Sequence, residues 1–513
     1  MTENIIDVAI VGGGVSGVYT GWRLLTSDLS GSELSQFADE TGKLNVQVFE
    51  LSDRIGGRLI SLDPPEMNGI KAEFGGMRYL TNQPLVSGLI DKLKLANKPF
   101  PVSGDENIYY LRGKHLRHRD FKNPKDVPYR LSWQEQGKTP GQLIAEAIDV
   151  LIPGGAHLSK EQWQDVKENY KFNGRFLWEL GFWNILAEVM SSEAFKFILD
   201  AGGYDTTMTN WNAAEALPWY LADFGPEVQY RTLLNGMESV PLTVAQKFIE
   251  AGGDVHTAHR LNTFFKQEDG TIRLQFDGKE DVVARHLVLA MPRRALELLD
   301  DDNEFLLEPT VRELVPTVTP HPMFKLFLCY RYPWWQDAGV NNGRSVTDLP
   351  VRQVYYFGSE ETGQTAYNPE MRDSLVMASY DDGANVGFWR GLAEKGHSTT
   401  HCFPDSDEPR WNRYTCPSAM ITHAQRQLKL VHDLEYIPEP YAAGFQDWGQ
   451  DPFGGAWNSW NIHVKAWEVR EKIVHPLNDW PVYIVGEAYS AAQGWIEGAL
   501  QTAEKLLTEQ FRI

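Results

Sequence analysis

The stretch IIDVAIVGGGVSG at residues 5–17 decides the fold of this chain. Its apolar first half predicts a short buried strand, and residues 18–25 predict a helix. The glycines between them follow the G-x-G-x-x-G spacing, which permits a tight turn, close approach of a pyrophosphate and close packing of helix on strand. The helix N-terminus would offer free N–H groups to the phosphates. We therefore predict a dinucleotide-binding unit whose phosphate site is lined by Gly12, Gly14, Val15, Ser16 and Gly17.

A second strand is predicted at residues 46–50, and it ends on the acidic residue Glu50. A carboxylate at that point accepts hydrogen bonds from the hydroxyls of an adenosine ribose and repels a 2′-phosphate. Glu50 lies 33 residues after Gly17, farther than the usual ~20, and the polar stretch at 27–45 accounts for the excess as a loop. The alternative is a carboxylate that ends a strand in solvent.

The run RIGGR at residues 54–58 follows almost directly. Glycines let a chain pass close to a ligand, and the permanent, forked charge of Arg58 suits a second phosphate. An ordinary basic loop is the alternative. The presence of Glu50, two glycines and Arg58 within nine residues favours a ligand site.

The composition excludes several other classes of protein. With 48 Lys and Arg against 69 Asp and Glu, the net charge of −21 argues against nucleic acid and against an anionic membrane surface. Three cysteines form neither a disulfide framework nor a CxxC site, and no His-rich spacing is present, so no metal is expected. No apolar run approaches the ~20 residues that cross a bilayer, and the start lacks the basic segment of a signal peptide, which predicts a cytoplasmic protein without membrane contact.

The rest of the chain shows helical and then strand-like patterns, and its 513 residues predict more than one domain. Residues 140–201 are mostly helical, with an amphipathic stretch at 142–151 and a long apolar one at 176–199. Strand-like runs follow at residues 255–259, 272–276, 286–290, 324–330, 375–380 and 482–485. A closing helix is predicted over 494–511.

The motifs at both ends of the chain resemble those of one family. The segment from Val8 to Arg58, with ExxxRxGGR at residues 50–58, resembles the opening of the flavin-containing amine oxidase superfamily. Residues 486–499, which contain GE and GWIEGA, resemble the flavin-contacting end of the same group. The resemblance implies FAD held between N- and C-terminal segments. The further cofactor-binding positions that it implies are Gly76, Met77, Arg78, Val255, Gly486, Glu487, Trp495 and Ile496.

The resemblance also implies an α/β fold with a discontinuous Rossmann-like FAD-binding domain, a mixed-sheet substrate domain and a helical domain. The FAD domain would take residues 1–60, 239–318 and 470–513. The substrate domain would take residues 61–119, 228–238 and 319–469, and the helical domain residues 120–227. A homodimer or a higher homo-oligomer is implied by the family likeness alone.

The segment FGGMRY at residues 74–79 is similar to a motif of the L-amino acid oxidase branch. In that branch the arginine, here Arg78, binds the α-carboxylate of the substrate. A bidentate guanidinium–carboxylate pair would fix orientation as well as charge. The alternative is a structural salt bridge of Arg78, for example to Glu73.

Two further side chains receive a role through the resemblance. The stretch TDLPVRQVYY at residues 347–356 matches the same branch, in which a tyrosine donates its hydroxyl to the carboxylate; we choose Tyr356, with Tyr355 as the alternative. Lys325 lies between apolar residues on a predicted strand, where a buried ammonium is costly unless paired. In the superfamily a lysine at the matching position holds a water beside flavin N5 and assists the oxygen chemistry. The alternative is a lysine that extends to the surface.

The function implied is that of an FAD-dependent L-amino acid oxidase, which turns L-amino acids and oxygen into 2-oxo acids, ammonia and hydrogen peroxide. Arg78, Tyr356 and Lys325 would be its catalytic residues. The carbonyl of Gly494 would accept a hydrogen bond from the substrate amine, and Trp495 would form a wall of the site. Some members carry an active-site histidine in the helical domain, but this chain has none from residue 158 to 255.

The side-chain pocket would lie at Ala456 and Trp457, near Trp448 and Phe453. A small alanine among aromatic residues predicts broad specificity that favours large apolar or aromatic side chains. Asp451 is the one acid there that could select a basic substrate. Two other functions stay open: a monoamine or polyamine oxidase in which Arg78 is structural, and a flavin-binding protein without turnover.

Overall fold

The computed structural model describes residues 5–224, 228–359, 372–395 and 408–513, and it shows a mixed α/β architecture. Two seven-stranded sheets form its framework, and helices cover the first sheet and fill the middle of the chain. No helix among these described residues has the length and apolar character needed to cross a membrane.

The first sheet is built around the predicted N-terminal strand. Its strands are Ile6–Val11, Val46–Phe49, Asp254–His256, Leu261–Lys266, Ile272–Phe276, Val282–Leu289 and Val482–Ile484. Ile6–Val11 pairs in parallel with Val46–Phe49 on one side and with Val282–Leu289 on the other. A central parallel strand is covered on both faces, and all six residues of Ile6–Val11 are buried.

The C-terminal part of the chain returns to the same sheet. Val482–Ile484 pairs in parallel with Val282–Leu289, so both ends of the sequence meet in one layer. The helix Val15–Thr26, which leaves the glycine turn, packs against Ser239–Glu250 and against Ile496–Lys505. The carboxyl ends of the parallel strands thereby lie near the N-termini of two helices, Val15–Thr26 and Ile496–Lys505.

The second sheet is mainly antiparallel. Its strands are Ile108–Leu111, Lys114–Arg117, Met323–Tyr330, Arg344–Thr347, Gln353–Ser359, Ser374–Asp382 and Ala442–Asp447. Met323–Tyr330 and Ser374–Asp382 run antiparallel, with Lys325 opposite Tyr380 and Met323 opposite Asp382. Every residue of Ser374–Asp382 is buried, so its polar side chains need partners inside the protein.

The middle of the chain is helical, as predicted. Its helices are Pro140–Leu151, Lys160–Asn169, Phe182–Val189, Ser192–Gly202 and Ala213–Phe224. The apolar stretch at 176–199 is divided between the third and fourth of these helices. The division falls at Ser191, whose hydroxyl accepts a hydrogen bond from the N–H of Ala194 and caps the fourth helix.

The other helices are Pro84–Lys92, Arg293–Glu297, Glu304–Leu307, Pro309–Leu314, Val386–Lys395, Ser418–His432 and Ala466–Ile473. The closing helix is shorter than the predicted 494–511. It begins at Ile496, because Gly494 has a φ of +85° that no helix accommodates, and its α-helical part ends at Lys505.

Candidate active site

One cavity of about 590 Å³ joins the glycine turn of the first sheet to the second sheet. Both sheets, the closing helix and the helical middle contribute to its wall. The predicted site residues that line it are Gly12, Gly14, Val15, Ser16, Glu50, Arg58, Gly76, Met77, Arg78, Lys325, Ala456, Trp457, Gly486, Glu487, Gly494, Trp495 and Ile496. Residues separated by more than 400 positions in the sequence are thus brought to one space.

The glycine turn has the close contacts that its spacing predicts. Gly12 has a φ of +115°, and a Cβ on it would lie 2.2 Å from the carbonyl oxygen of Ala290. Gly17 does not line the cavity, because it lies beneath the turn, where a Cβ would come 1.9 Å from the carbonyl oxygen of Gly12. A Cβ on Gly14 would meet only the Cα of Gly57, at 4.0 Å. Gly14 and Gly57 therefore leave room for a ligand.

The carboxylate of Glu50 is fixed at the cavity wall. One oxygen accepts a hydrogen bond from the N–H of Gly13 at 2.6 Å, and the other accepts from the N–H and hydroxyl of Ser52 at 2.9 and 2.7 Å. Gly13 belongs to the glycine turn, and Ser52 lies just after the second strand. Glu50 is therefore held beside the glycine turn and is not a loose strand end in solvent.

Arg58 links the N-terminal loop to the C-terminal segment. Its Nη1 donates to Glu487 at 2.9 Å and to the carbonyl of Ala456 at 2.8 Å. Glu487 is 5% exposed and also accepts from the N–H groups of Asn458 and Gly494, at 3.0 and 2.7 Å. The predicted phosphate-binding arginine thus also helps to hold the closing segment.

Val255 does not lie on the cavity wall, and this prediction was wrong. Its strand forms the edge of the first sheet next to Val46–Phe49, and its side chain packs against the core of that sheet. The cavity is reached a few residues later, by His259, Arg260 and Leu261.

Arg78 is buried at the far end of the cavity, where its partners are hydroxyl groups. It is 9% exposed, and it donates to the hydroxyls of Tyr355 at 3.1 Å and Tyr204 at 3.2 Å. The ring of Tyr230 lies 4.4 Å from its guanidinium carbon. Within the described ranges, Arg78 forms no ion pair. The structural salt bridge to Glu73 is not formed.

Tyr356 is directed away from Arg78, so choosing it over Tyr355 was wrong. Neighbouring residues of a strand face opposite sides of the sheet. The hydroxyl of Tyr356 instead lies 2.6 Å from the Oγ of Ser345 and 2.7 Å from the Nε2 of His432, inside an apolar core. The alternative, Tyr355, is the tyrosine that contacts Arg78.

Lys325 lines the cavity and does not reach the surface. It is 2% exposed, and its Nζ donates to the carbonyl oxygens of Glu73 at 3.0 Å and Gly75 at 2.5 Å. Burial lowers the pKa of Lys325, and it raises the pKa of the Glu73 carboxyl. Glu73 in turn accepts from the hydroxyl of Ser61 and the N–H of Met237.

Aromatic side chains form part of the cavity wall. Trp457 stacks on Trp219, with ring centroids 5.7 Å apart, and the indole of Trp448 donates to the carbonyl of Phe74 at 2.7 Å. Asp451 reaches the rim but forms two hydrogen bonds with Arg294, at 2.7 and 3.1 Å. The charge of Asp451 is therefore already paired with Arg294, so we do not expect Asp451 to select basic substrates.

Several cavity residues were missed in the sequence. They are Tyr204, Trp219, Tyr380 and Asp382, together with a group on the nucleotide side at His259, Arg260, Leu261, Met291 and Pro292. Tyr204 and Trp219 belong to a helical region without a local motif. Asp382 ends a buried strand, and a polar residue in such a strand was the only available signal.

The chain is similar to known proteins along almost its whole length. The profile of the family described as flavin containing amine oxidoreductase matches residues 32–505. Aplysianin-A from Aplysia kurodai is 29% identical over 99% of this chain and 91% of its own length. Achacin from Lissachatina fulica is 28% identical over 99% of this chain and 93% of its own length. An L-amino-acid oxidase from Sistrurus catenatus edwardsii is 21% identical over 98% of this chain and 86% of its own length.

A solved structure shares the fold. The putrescine oxidase bound to putrescine has a TM-score of 0.66 to this chain, at 18% identity and over 98% of both chains. The cavity also fits a flavin dinucleotide. The absence of a side chain at Gly14 would leave space for the pyrophosphate, Glu50 would accept from the ribose, and the N-terminus of Ile496–Lys505 lies at the cavity. The chain belongs to the flavin containing amine oxidoreductase family, and its cofactor is FAD.

Proposed function

We propose that this oxidoreductase acts on L-amino acids and uses oxygen as the electron acceptor. The observation that carries the proposal is the buried guanidinium of Arg78, which has hydroxyl partners and no carboxylate among the described residues. A buried charge is costly without a counter-charge. The α-carboxylate of an amino acid would supply that charge, whereas a simple amine has none to offer.

The contacts around Arg78 suit a carboxylate. Tyr355 and Tyr204 accept hydrogen bonds from the guanidinium through their oxygens, and the hydroxyl of Tyr355 would donate its proton to a carboxylate oxygen. Arg78 also holds the pKa of Tyr355 below its usual range against the opposing effect of burial. Arg78 and Tyr355 together would bind and orient the carboxylate.

The substrate amine would be held at Gly494. The N–H of this residue donates to Glu487, and its positive φ fixes the direction of the carbonyl beside the cavity. A carboxylate contact at Arg78 and an amine contact at Gly494 define two of the four substituents of Cα. With the side-chain pocket as a third point they would discriminate between enantiomers, and we expect the L-enantiomer to be the one accepted.

FAD supplies the two-electron redox chemistry when it is bound. The protein binds and orients the substrate, while the aromatic walls exclude water. The balanced reaction takes an L-amino acid, oxygen and water to a 2-oxo acid, ammonia and hydrogen peroxide. Lys325, fixed by two carbonyl oxygens at the wall, would serve the reaction with oxygen.

An oxygen-electrode experiment tests the proposal on the purified flavoprotein. L-phenylalanine and L-lysine are each compared with the amine that lacks the carboxylate, phenethylamine or cadaverine, and with the D-enantiomer; spermidine is added as a polyamine. We expect oxygen uptake with an L-amino acid at a kcat/KM at least about a hundred-fold above that of its amine. A preference for the amines or for spermidine, or no turnover by the FAD-loaded protein, would refute the proposal.

A further inference from the structure

We propose that Asp205, Asp381 and Asp382, called here the aspartate cluster, bind the positively charged side-chain end of the substrate, so that the preferred L-amino acids are lysine and arginine. The inference rests on the proposed oxidation of L-amino acids and names the substrate class for the same cavity. Asp382 is the member that lines the cavity. One carboxylate oxygen from each of the three residues lies within 4.8 Å of the other two.

The position of the cluster relative to Arg78 suits a long side chain. The hydroxyl of Tyr204 accepts from Arg78, while the N–H groups of the next two residues, Asp205 and Thr206, donate to Asp382 at 2.6 and 3.1 Å. One short segment therefore reaches the carboxylate site at one end and the cluster at the other.

The strand register sets the spacing between two cavity residues, Tyr380 and Asp382. Tyr380 lies opposite Lys325, and Asp382 follows two residues later on the same face of the strand. Two residues of a strand span about 7 Å, which is comparable with an extended lysine side chain. Both Tyr380 and Asp382 line the cavity.

The cluster is short of positive charge. Asp382 is 0% exposed and forms no ion pair within the described residues, and its hydrogen-bond donors are neutral groups of Asp205 and Thr206. Asp381 is 1% exposed, and its Oδ2 has no hydrogen-bond partner in this part of the chain. The one cation that pairs with the cluster there is Arg352, at 2.8 Å from Asp205.

Three carboxyl groups thus face one guanidinium. Burial and the neighbouring Asp205 raise the pKa of Asp382 to about 6. A second cation would compensate the buried charge, which is the condition under which buried carboxylates are stable. The end of a lysine or arginine side chain brings such a cation through the cavity.

The wall next to Asp382 is aromatic. The rings of Tyr204, Tyr380 and Trp457 line the cavity there, and the indole N–H of Trp457 donates to the hydroxyl of Thr206 at 3.3 Å. Trp219 and His321 stack on the Trp457 ring, and the ammonium of Lys325 lies 4.8 Å from the centroid of the Tyr380 ring. Aromatic walls alone predicted apolar substrates, but a long apolar side chain would leave Asp382 desolvated and unpaired.

The test uses neutral analogues of nearly the same shape. Steady-state kcat/KM is measured by oxygen uptake for L-lysine against L-norleucine and for L-arginine against L-citrulline. We expect the parent enzyme to prefer each cationic substrate by at least about thirty-fold, which is typical of a buried charge pair. Asp382→Asn should remove this preference, lowering kcat/KM for each cationic substrate by about thirty-fold more than for its neutral analogue.

Asp451→Asn is the matched control, because Asp451 is another acid at the cavity wall but is paired with Arg294. It should leave both substrate ratios unchanged. The parent ratio needs no variant, so poor folding of Asp382→Asn does not remove the test.

Three results would overturn the inference. The first is that the parent oxidises L-norleucine as efficiently as L-lysine. The second is that Asp382→Asn lowers kcat/KM for both substrates to the same extent. The third is that EDTA abolishes the oxidation of L-lysine and that added Ca²⁺ or Mg²⁺ restores it, because the cluster would then be a metal site. If no L-amino acid is oxidised while FAD is bound, the proposed function fails and the inference fails with it.

Discussion

At the scale of the residue, the guanidinium of Arg78 is the feature that distinguishes this cavity. Two of its hydrogen bonds go to tyrosine hydroxyls, and it forms no ion pair within the described residues, where the buried carboxyl of Asp223 interacts with it only at longer range. Such a group is expensive to bury for structure alone, since an apolar side chain of similar volume would cost less. Its presence at the cavity end is therefore best explained by an anionic group of the ligand.

Two adjacent tyrosines give a matched pair of variants. Tyr355→Phe removes the hydroxyl on Arg78, and we expect a roughly 10- to 100-fold loss of kcat/KM for L-amino acids, as for a hydrogen bond to a charged group. Tyr356→Phe should leave kcat/KM within about three-fold. It should lower the free energy of unfolding by about 1–3 kcal/mol, because it leaves the buried His432 without its partner.

Steady-state kinetics and denaturant unfolding of both variants decide the assignment. If Tyr356→Phe were the one to lose activity while Tyr355→Phe kept it, the carboxylate site would have to be moved to the other face of the strand.

The role of Lys325 can be separated from substrate binding. Lys325→Met keeps much of the bulk but removes the group held by the carbonyls of Glu73 and Gly75. We expect the reaction with oxygen to slow by at least about ten-fold and reduction by substrate to change by less than about three-fold. Stopped-flow absorbance of the two half-reactions measures both. Slowing of reduction alone, or equal slowing of both, would show that Lys325 does not serve the oxygen reaction.

At the scale of the element, the strand–turn–helix unit is set by local contacts. Gly17→Ala would place a Cβ 1.9 Å from the carbonyl oxygen of Gly12, and overpacking of this kind costs about 1–3 kcal/mol. We expect a less stable protein that is purified with little FAD. Gly88→Ala, in the exposed part of Pro84–Lys92 with nothing within 4 Å, is the control and should stabilise by about 0.5–1 kcal/mol.

Thermal unfolding and the ratio of flavin to protein absorbance compare the two glycine variants. Full FAD content and unchanged stability in Gly17→Ala would mean that the turn is looser than its contacts indicate.

Elements were predictable where local pattern determines them. The strands Ile6–Val11 and Ile272–Phe276 agree with the sequence prediction almost to the residue, because alternation or a continuous apolar run is a local property. The apolar stretch at 176–199 was not resolved into two helices, since the capping hydroxyl of Ser191 was overlooked. The Tyr355–Tyr356 pair shows the remaining limit: alternation requires opposite faces but does not say which face meets the cavity.

At the scale of the whole molecule, the site exists only because distant segments meet. Arg58 and Glu487 are 429 residues apart, and Asp205 and Asp382 are 177 apart. The sequence motifs located the glycine-turn half of the cavity, because each motif is a short continuous run of residues. Tyr204, Trp219 and Asp382 depend on the packing of the helical middle against the second sheet, which leaves no local signature.

The contact between the two ends of the chain should support the cofactor. Arg58→Met removes the ion pair to Glu487 and leaves that buried carboxylate without its cation. Because Arg58 is partly exposed, we expect the free energy of FAD binding to weaken by about 1–3 kcal/mol. This corresponds to an increase of about ten- to a hundred-fold in the Kd for FAD. Arg294→Met, which breaks the exposed pair with Asp451, is the control and should alter the Kd by less than about three-fold. Equal effects of the two variants on FAD fluorescence titrations would contradict this account.

The central claim is that the cavity recognises an amino acid by its carboxylate, and Arg78→Leu tests it most directly. The measurement is kcat/KM of the variant and the parent, at equal FAD content, for an L-amino acid and for its decarboxylated amine, such as L-phenylalanine and phenethylamine. We predict a loss of about 3–5 kcal/mol for the amino acid, which is roughly a hundred-fold to several-thousand-fold, and no comparable loss for the amine. An equal loss for both substrates, or a parent enzyme that prefers the amine, would contradict the account.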